Sequence, residues 1–145
     1  MGFGADLRAF KARVTDNLDR TVRDTTLTAG ERLIELSPVG DQVLWKNPQS
    51  APPGYVGGEF RSNWFLSVGS PTNAFRKGVT NVTELNHQDA MPAHPAGTKL
   101  FISNADPKGP SLEYGHSSQA PVGMVGVLAF ELPGIAEDAA QRASR

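Results

Sequence analysis

Apolar or weakly polar positions recur through residues 6–36 as Leu7, Phe10, Val14, Leu18, Val22, Thr25, Ala29, Leu33 and Leu36. The steps between them average about 3.6 residues, which is the α-helical period. Arg8, Lys11, Asp16, Asp19, Arg20, Arg23 and Asp24 fill the other side, and Asp16–Arg20 and Asp19–Arg23 fall at i,i+4 with the acid leading. Asp6 is the expected N-cap, and Pro38 with Gly40 the expected stop. At 1.5 Å per residue such a helix spans about 45 Å. A compact chain of 145 residues has a radius of gyration of roughly 15 Å. The run Thr25, Thr26, Thr28, Gly30 weakens helix propensity, but the pattern continues through it. The expectation is therefore one long helix reaching the edge of its own domain, with an apolar stripe that needs cover from a neighbour.

Beyond residue 36 the pattern is sparser. Residues 37–58 read as an irregular connection punctuated by Pro and Gly, with Val43, Leu44 and Trp45 as an apolar anchor on the body. Residues 59–63 suggest one helical turn. Residues 64–68 alternate as a strand with Trp64, Leu66 and Val68 on one side. Residues 69–98 have little periodicity, apart from a candidate short helix at 82–90, and an excursion of that length is expected to dock on another subunit or partner. Residues 99–103 read as a second strand and 104–110 as turns. Residues 124–131 are apolar on both faces and read as a third, central strand. Pro133 then opens a short C-terminal helix with Ile135, Ala136, Ala139, Ala140 and Ala143. The predicted architecture is α+β, a single domain over 1–145: a long N-terminal helix and a short C-terminal helix packed on a small, mainly antiparallel β-sheet, with two long loops, 69–98 being one.

Composition narrows the function classes. Lys+Arg 14 against Asp+Glu 15 leaves a net charge of −1, so nucleic acid is not expected as the main ligand and a monomeric DNA-binding accessory protein is disfavoured. The absence of cysteine removes disulfides, thiolate metal sites and cysteine nucleophiles. No apolar run is long enough to cross a membrane and no signal-peptide pattern opens the chain, so a protein made in a cytoplasm is expected.

Catalytic chemistry is thin. His87, Asp89 and His94 lie within eight residues, but Pro92 and Pro95 break the segment and the spacing matches no helix-borne metal motif. His116 stands between Glu113 and Ser117 without a Gly-x-Ser-x-Gly elbow. A small metal-dependent or hydrolytic enzyme on the His87/Asp89/His94 loop or on His116 is the alternative reading. The expectation is no catalytic residues, no cofactor and no metal.

Two stretches carry more information. One is Gly57-Gly58-Glu59-Phe60-Arg61-Ser62-Asn63-Trp64, preceded by Ser37-Pro38-Val39-Gly40. The other is Leu112-Glu113-Tyr114-Gly115-His116-Ser117-Ser118-Gln119-Ala120-Pro121-Val122-Gly123-Met124-Val125. In that order along one chain they resemble the neck or tail-completion family of head–tail joining proteins of tailed phages, typified by the gene-ten product of a lambda-like coliphage. The middle loop is unmatched, and residues 104–111 lack the Tyr-Ala step usual before the Leu-Glu pair.

The resemblance implies a virion structural protein, not an enzyme: a ring at the neck or upper tail, made in the bacterial host cytoplasm. Its expected partners are further copies of itself, six-fold because the tail is six-fold, a head-closure or connector protein, and a tail terminator or tail tube protein. DNA is expected to pass through the lumen without specific binding. Leu7, Phe10 and Val14 are the interface candidates on the helix. Trp64 is expected as a core anchor and Arg61 as a partner for Glu113 of the same or a neighbouring subunit. Tyr114 and His116 complete the second motif, in which Gly115 is expected to need positive φ or a close approach.

Overall fold

The structure, a computed structural model, describes residues 2–115 and 117–145. Helix α1 (Phe3–Leu36) runs unbroken for 34 residues. It starts three residues ahead of Asp6, with Gly2 at the N-cap and Asp6 inside the first turn, where its charge faces the positive end of the helix. The threonines do not break it. The hydroxyls of Thr21, Thr25 and Thr26 each donate to the carbonyl four residues back at 2.7 Å, so these side chains are satisfied without leaving the helix. Ser37 ends it, donating its N–H to Ile34 O and its hydroxyl to Leu33 O at 2.6 Å.

Strand β1 (Phe65–Val68) lies between β2 (Asn86–His87) and β3 (Leu100–Ser103). It pairs antiparallel with β3, Phe65 opposite Ser103 through Val68 opposite Leu100, and parallel with β2. Phe65, Leu66 and Ser67 are all buried, so the central strand is β1. The 3-10 turn Arg61–Asn63 precedes it at the place where one helical turn was expected.

Residues 82–90 are not helical. They supply β2, held because Asn86 Nδ2 donates to the carbonyls of Ser62 and Trp64 at 2.8 and 2.9 Å. The rest of 69–98 is tied to its own body at several points. Asn63 Oδ1 accepts from Arg76 N, Asp89 from Val68 N, and Asp19 from Ala96 N. Leu85 seats against α1, where a Cβ on Gly30 would meet it at 2.9 Å.

Residues 124–131 are not a strand either. Helix α2 (Gly109–Glu113) leads to α3 (Val125–Ala143), a single helix that absorbs both the expected strand and the expected C-terminal helix. An apolar run of eight fits a buried strand or a helix equally. Here Leu128, Ala139 and Ala143 are buried at helical spacing, which sets the period. Pro133 sits inside α3 instead of opening it. The carbonyl that its missing N–H would have served belongs to Ala129, an exposed position where water can serve it. Val43 and Leu44 stay exposed, and Leu44 and Trp45 instead line the wall of a cleft of about 920 Å³.

The layout is α+β: α1 packs along α3, and a three-stranded mixed sheet joins their shared core through Trp64 and Ile102. Its core comprises Ala29, Leu33, Ile34, Phe60, Trp64, Ala120, Met124 and Leu128. Trp64 is at the centre, edge-on to Phe60 at 5.7 Å, with its indole N–H donating to Ser37 Oγ at 2.8 Å. Removing the ring by Trp64→Ala should cost about 3–5 kcal/mol, the range of large core truncations. Ser37→Ala should cost about 1–3 kcal/mol by leaving a buried donor unpaired. Urea denaturation of both variants checks this; a smaller loss for Trp64→Ala than for Ser37→Ala would contradict the assignment.

Candidate functional site

The core occupies only the C-terminal part of α1. Its buried residues are Asp19, Ala29, Gly30, Leu33 and Ile34. Ahead of them Phe3, Leu7, Phe10, Val14 and Leu18 are all exposed, Leu7 at 54% and Phe10 at 56%. At 100° per residue, these five positions centre on a direction roughly a third of a turn away from the buried set. The arm therefore does not point its apolar side at the body.

Where α1 meets the body, a polar clasp fixes the junction. The Asp19 carboxylate is buried and accepts from Ala96 N at 3.1 Å, with His94 Nδ1 2.7 Å away. The hydrogen bond to His94 holds this carboxyl below its ordinary range, against the opposing effect of burial. Arg23 reaches Ala93 O from the next turn of the helix. The three residues considered as metal ligands are thereby separated: His94 faces Asp19, Asp89 accepts from Val68 N, and His87 is exposed on β2. Among the described residues no group of three His, Cys, Asp or Glu side chains is placed to hold a metal ion.

The second motif folds into a turn that starts α3. Glu113 closes α2 and turns its carboxylate onto the N-terminus of α3, accepting from Met124 N, Val125 N and Gly126 N, each at 2.9 Å. It does from a distance what an N-cap side chain does locally, satisfying donors that a helix start leaves free. The chain can only turn this tightly at two glycines. Gly115 has φ +85° and Gly123 φ +81°; a Cβ would meet Pro121 O at 2.5 Å in the first case and Glu113 O at 2.3 Å in the second. Gly115 thus has both the positive φ and the close approach expected of it. Tyr114 projects from this turn, 82% exposed, and His116 lies outside the described residues.

Within the chain Arg61 does not pair with Glu113, whose two oxygens accept from backbone amides. Arg61 is half-buried, and its Nε is enclosed with no hydrogen-bond partner among the described residues. The acid that does pair across this region is Glu59. Its Oε1 lies 2.9 Å from Lys108 Nζ, and its Oε2 accepts from Gly78 N at 2.7 Å. That amide and Lys108 hold the Glu59 carboxyl below its usual range. Asp106 Oδ2 stands 3.3 Å from the same ammonium, an ion-pair contact without hydrogen-bond geometry.

Sequence reasoning missed the Asp19–His94 clasp and the capping role of Glu113, because the partners are 75 and 11 to 13 residues apart. It also placed Phe130 in a sheet, whereas the ring stands 88% exposed on α3. The comparisons with known proteins add no relative: no family model, no curated protein and no solved structure matches the chain.

Glu113 carries a pH consequence. Burial alone would raise its carboxyl, but the three amide donors outweigh it and hold the group below 4.5. A carboxylate with a depressed folded-state pKa contributes stability above its unfolded value, lost as pH falls through the folded one. The melting temperature should therefore drop below about pH 4.5. Glu113→Gln should lower stability near neutrality by about 1–2 kcal/mol, the scale of a lost cap, and should flatten part of the acid limb. A variant whose acid limb superimposes on that of the parent would contradict this role.

Proposed function

We propose that this protein is a structural subunit of a tailed-phage virion, forming a ring at the neck or upper tail between the head connector and the tail tube. The observation that carries the reading is the apolar stripe of the α1 arm, which the body leaves uncovered: Phe3, Leu7, Phe10, Val14 and Leu18 are all exposed. A continuous apolar surface on one helix is the mark of an interaction site. Burying a large apolar side chain contributes about 1.5–3 kcal/mol. The two ordered motifs that resemble the head–tail joining family give the class of assembly. The capped turn at Glu113 and the buried Trp64 give both motifs structural roles, in keeping with a protein built to assemble.

The charge balance fits a lumen wall. With 14 basic and 15 acidic side chains, such a ring lets DNA pass instead of holding its phosphates. The expected neighbours along the axis are a head-closure or connector protein on one side and a tail terminator or tail tube protein on the other.

Native mass spectrometry of the purified chain should give one closed multimer, expected to be six-fold, and cryo-electron microscopy of the particle should place it around the tail axis. Leu7→Glu and Phe10→Glu should change folding stability by less than about 0.5 kcal/mol, as for exposed sites, yet block incorporation into particles. A single copy off the tail axis, or particles assembled normally with both substitutions, would end the proposal.

A further inference from the structure

We infer that the outward face of α3, built around Phe130, is the surface that receives the α1 arm of the next copy. This rests on the ring reading above and names the two surfaces that meet in it. Phe130 is 88% exposed, while Leu128, Ala139 and Ala143 turn the other side of α3 into the molecule. Around Phe130 at i−4, i+3 and i+4 stand Gly126, Pro133 and Gly134, neighbours on the same helix surface. None carries a long side chain, so a second helix can approach closely and take the Phe130 ring between its own turns. The arm offers what fits there: Phe3, Leu7, Phe10 and Val14 repeat at four, three and four residues, the spacing of a helix seam.

Charge selects this pairing over an arm-to-arm contact. The arm ahead of the Asp16–Arg20 pair carries Arg8, Lys11 and Arg13 against Asp6 alone. On α3, Glu131 is already held by Arg32, which leaves Glu137 and Asp138 against Arg142. A basic arm thus meets an acidic helix, whereas two arms together would oppose like charges. Lys11 borders the apolar stripe, four residues after Leu7 and three before Val14; Glu137 lies two turns beyond Phe130 on the same face. Neither has an ion-pair partner among the described residues. Each copy then gives one surface and offers the other, the head-to-tail arrangement that closes into a ring when the rotation fits.

The chain has no cysteine, so the contact can be read by cross-linking. The double variant Leu7→Cys/Phe130→Cys, treated as the full chain with a short bis-maleimide, should give a ladder of covalent multimers on a denaturing gel. Each single variant should stay monomeric. A dimer from Leu7→Cys alone would identify an arm-to-arm seam and overturn the inference. Native mass spectrometry of the same samples separates the two levels: multimers without a ladder overturn the pairing and leave the ring standing, while monomers at every concentration overturn both. As a second arm, Lys11→Glu should weaken self-association roughly threefold, the scale of an exposed ion pair, and adding Glu137→Lys should restore it. Failure of that restoration also counts against the pairing. All four positions are exposed, so unchanged thermal melts show that a lost contact is not a lost fold.

Discussion

The buried hydrogen bond from the Trp64 indole to the Ser37 hydroxyl ties together the parts of the chain that make the core. Ser37 is the last word of α1, and its hydroxyl is at once a donor to Leu33 O and an acceptor from the indole. Trp64 immediately precedes the central strand and carries Phe60 with it. One contact therefore fixes where the long helix ends relative to where the sheet begins. Met124, Leu128 and Ala120 fill the space that this leaves. Since Met124 is the N-cap of α3, the placement of the capped turn depends on the same arrangement. In a body with so few buried side chains there is little redundancy, and a void at Trp64 has few neighbours able to collapse into it.

How much of this was legible depends on the range of the deciding interaction. Helix α1 was readable because its period is repeated over eight intervals, and local weak points such as Thr25 and Thr26 carry their own remedy in hydroxyl-to-carbonyl bonds. Strands β1 and β3 were readable from alternation and bounding turns. Helix α3 was not: Met124 to Glu131 is apolar on both sides, and what favours a helix lies outside that run, in the burial of Ala139 and Ala143 and in the Glu113 carboxylate across a turn with two positive-φ glycines. Strand β2 is two residues long and is held by the Asn86 amide, which no periodicity can announce. Of the site, Gly115 could be read from its setting, while the Glu113 cap and the Asp19–His94 clasp could not, being contacts between segments.

The nine-position line that reads as one stripe is physically two. Its C-terminal members Ala29 and Leu33 lie toward the buried face, and its N-terminal members look elsewhere. A helix can show one uninterrupted apolar line and still use its two halves for different partners, because the buried sector also takes in Gly30 and Ile34, which the line omits. The junction sits at Asp19, a buried acid in the middle of the helix held by His94 and Ala96 N. A buried carboxylate without such partners would be costly. Its position anchors the 94–96 segment to the last turn that the body covers, and the arm departs from there with its helical hydrogen bonds continued from an anchored stem. That continuity matters because an isolated helix of this length is marginal in water.

If the arm mediates the ring proposed above, the magnitudes set what kind of assembly it makes. Four or five partly exposed apolar side chains, finishing their burial, contribute on the order of 5–8 kcal/mol. Bringing two free molecules together costs an estimated 4–15 kcal/mol. A single arm contact is thus close to balance, and an open pair of copies dissociates readily. Closing a ring changes the arithmetic: the final contact forms between copies already held together and no longer carries the full cost of association. Head-to-tail contacts that are weak singly favour either free monomer or the completed ring, with few open intermediates between. An uncovered apolar arm on a charge-balanced chain is consistent with that behaviour. In the proposed ring it would be tolerable in the monomer because each contact alone is weak, and sufficient after closure because no contact there acts alone.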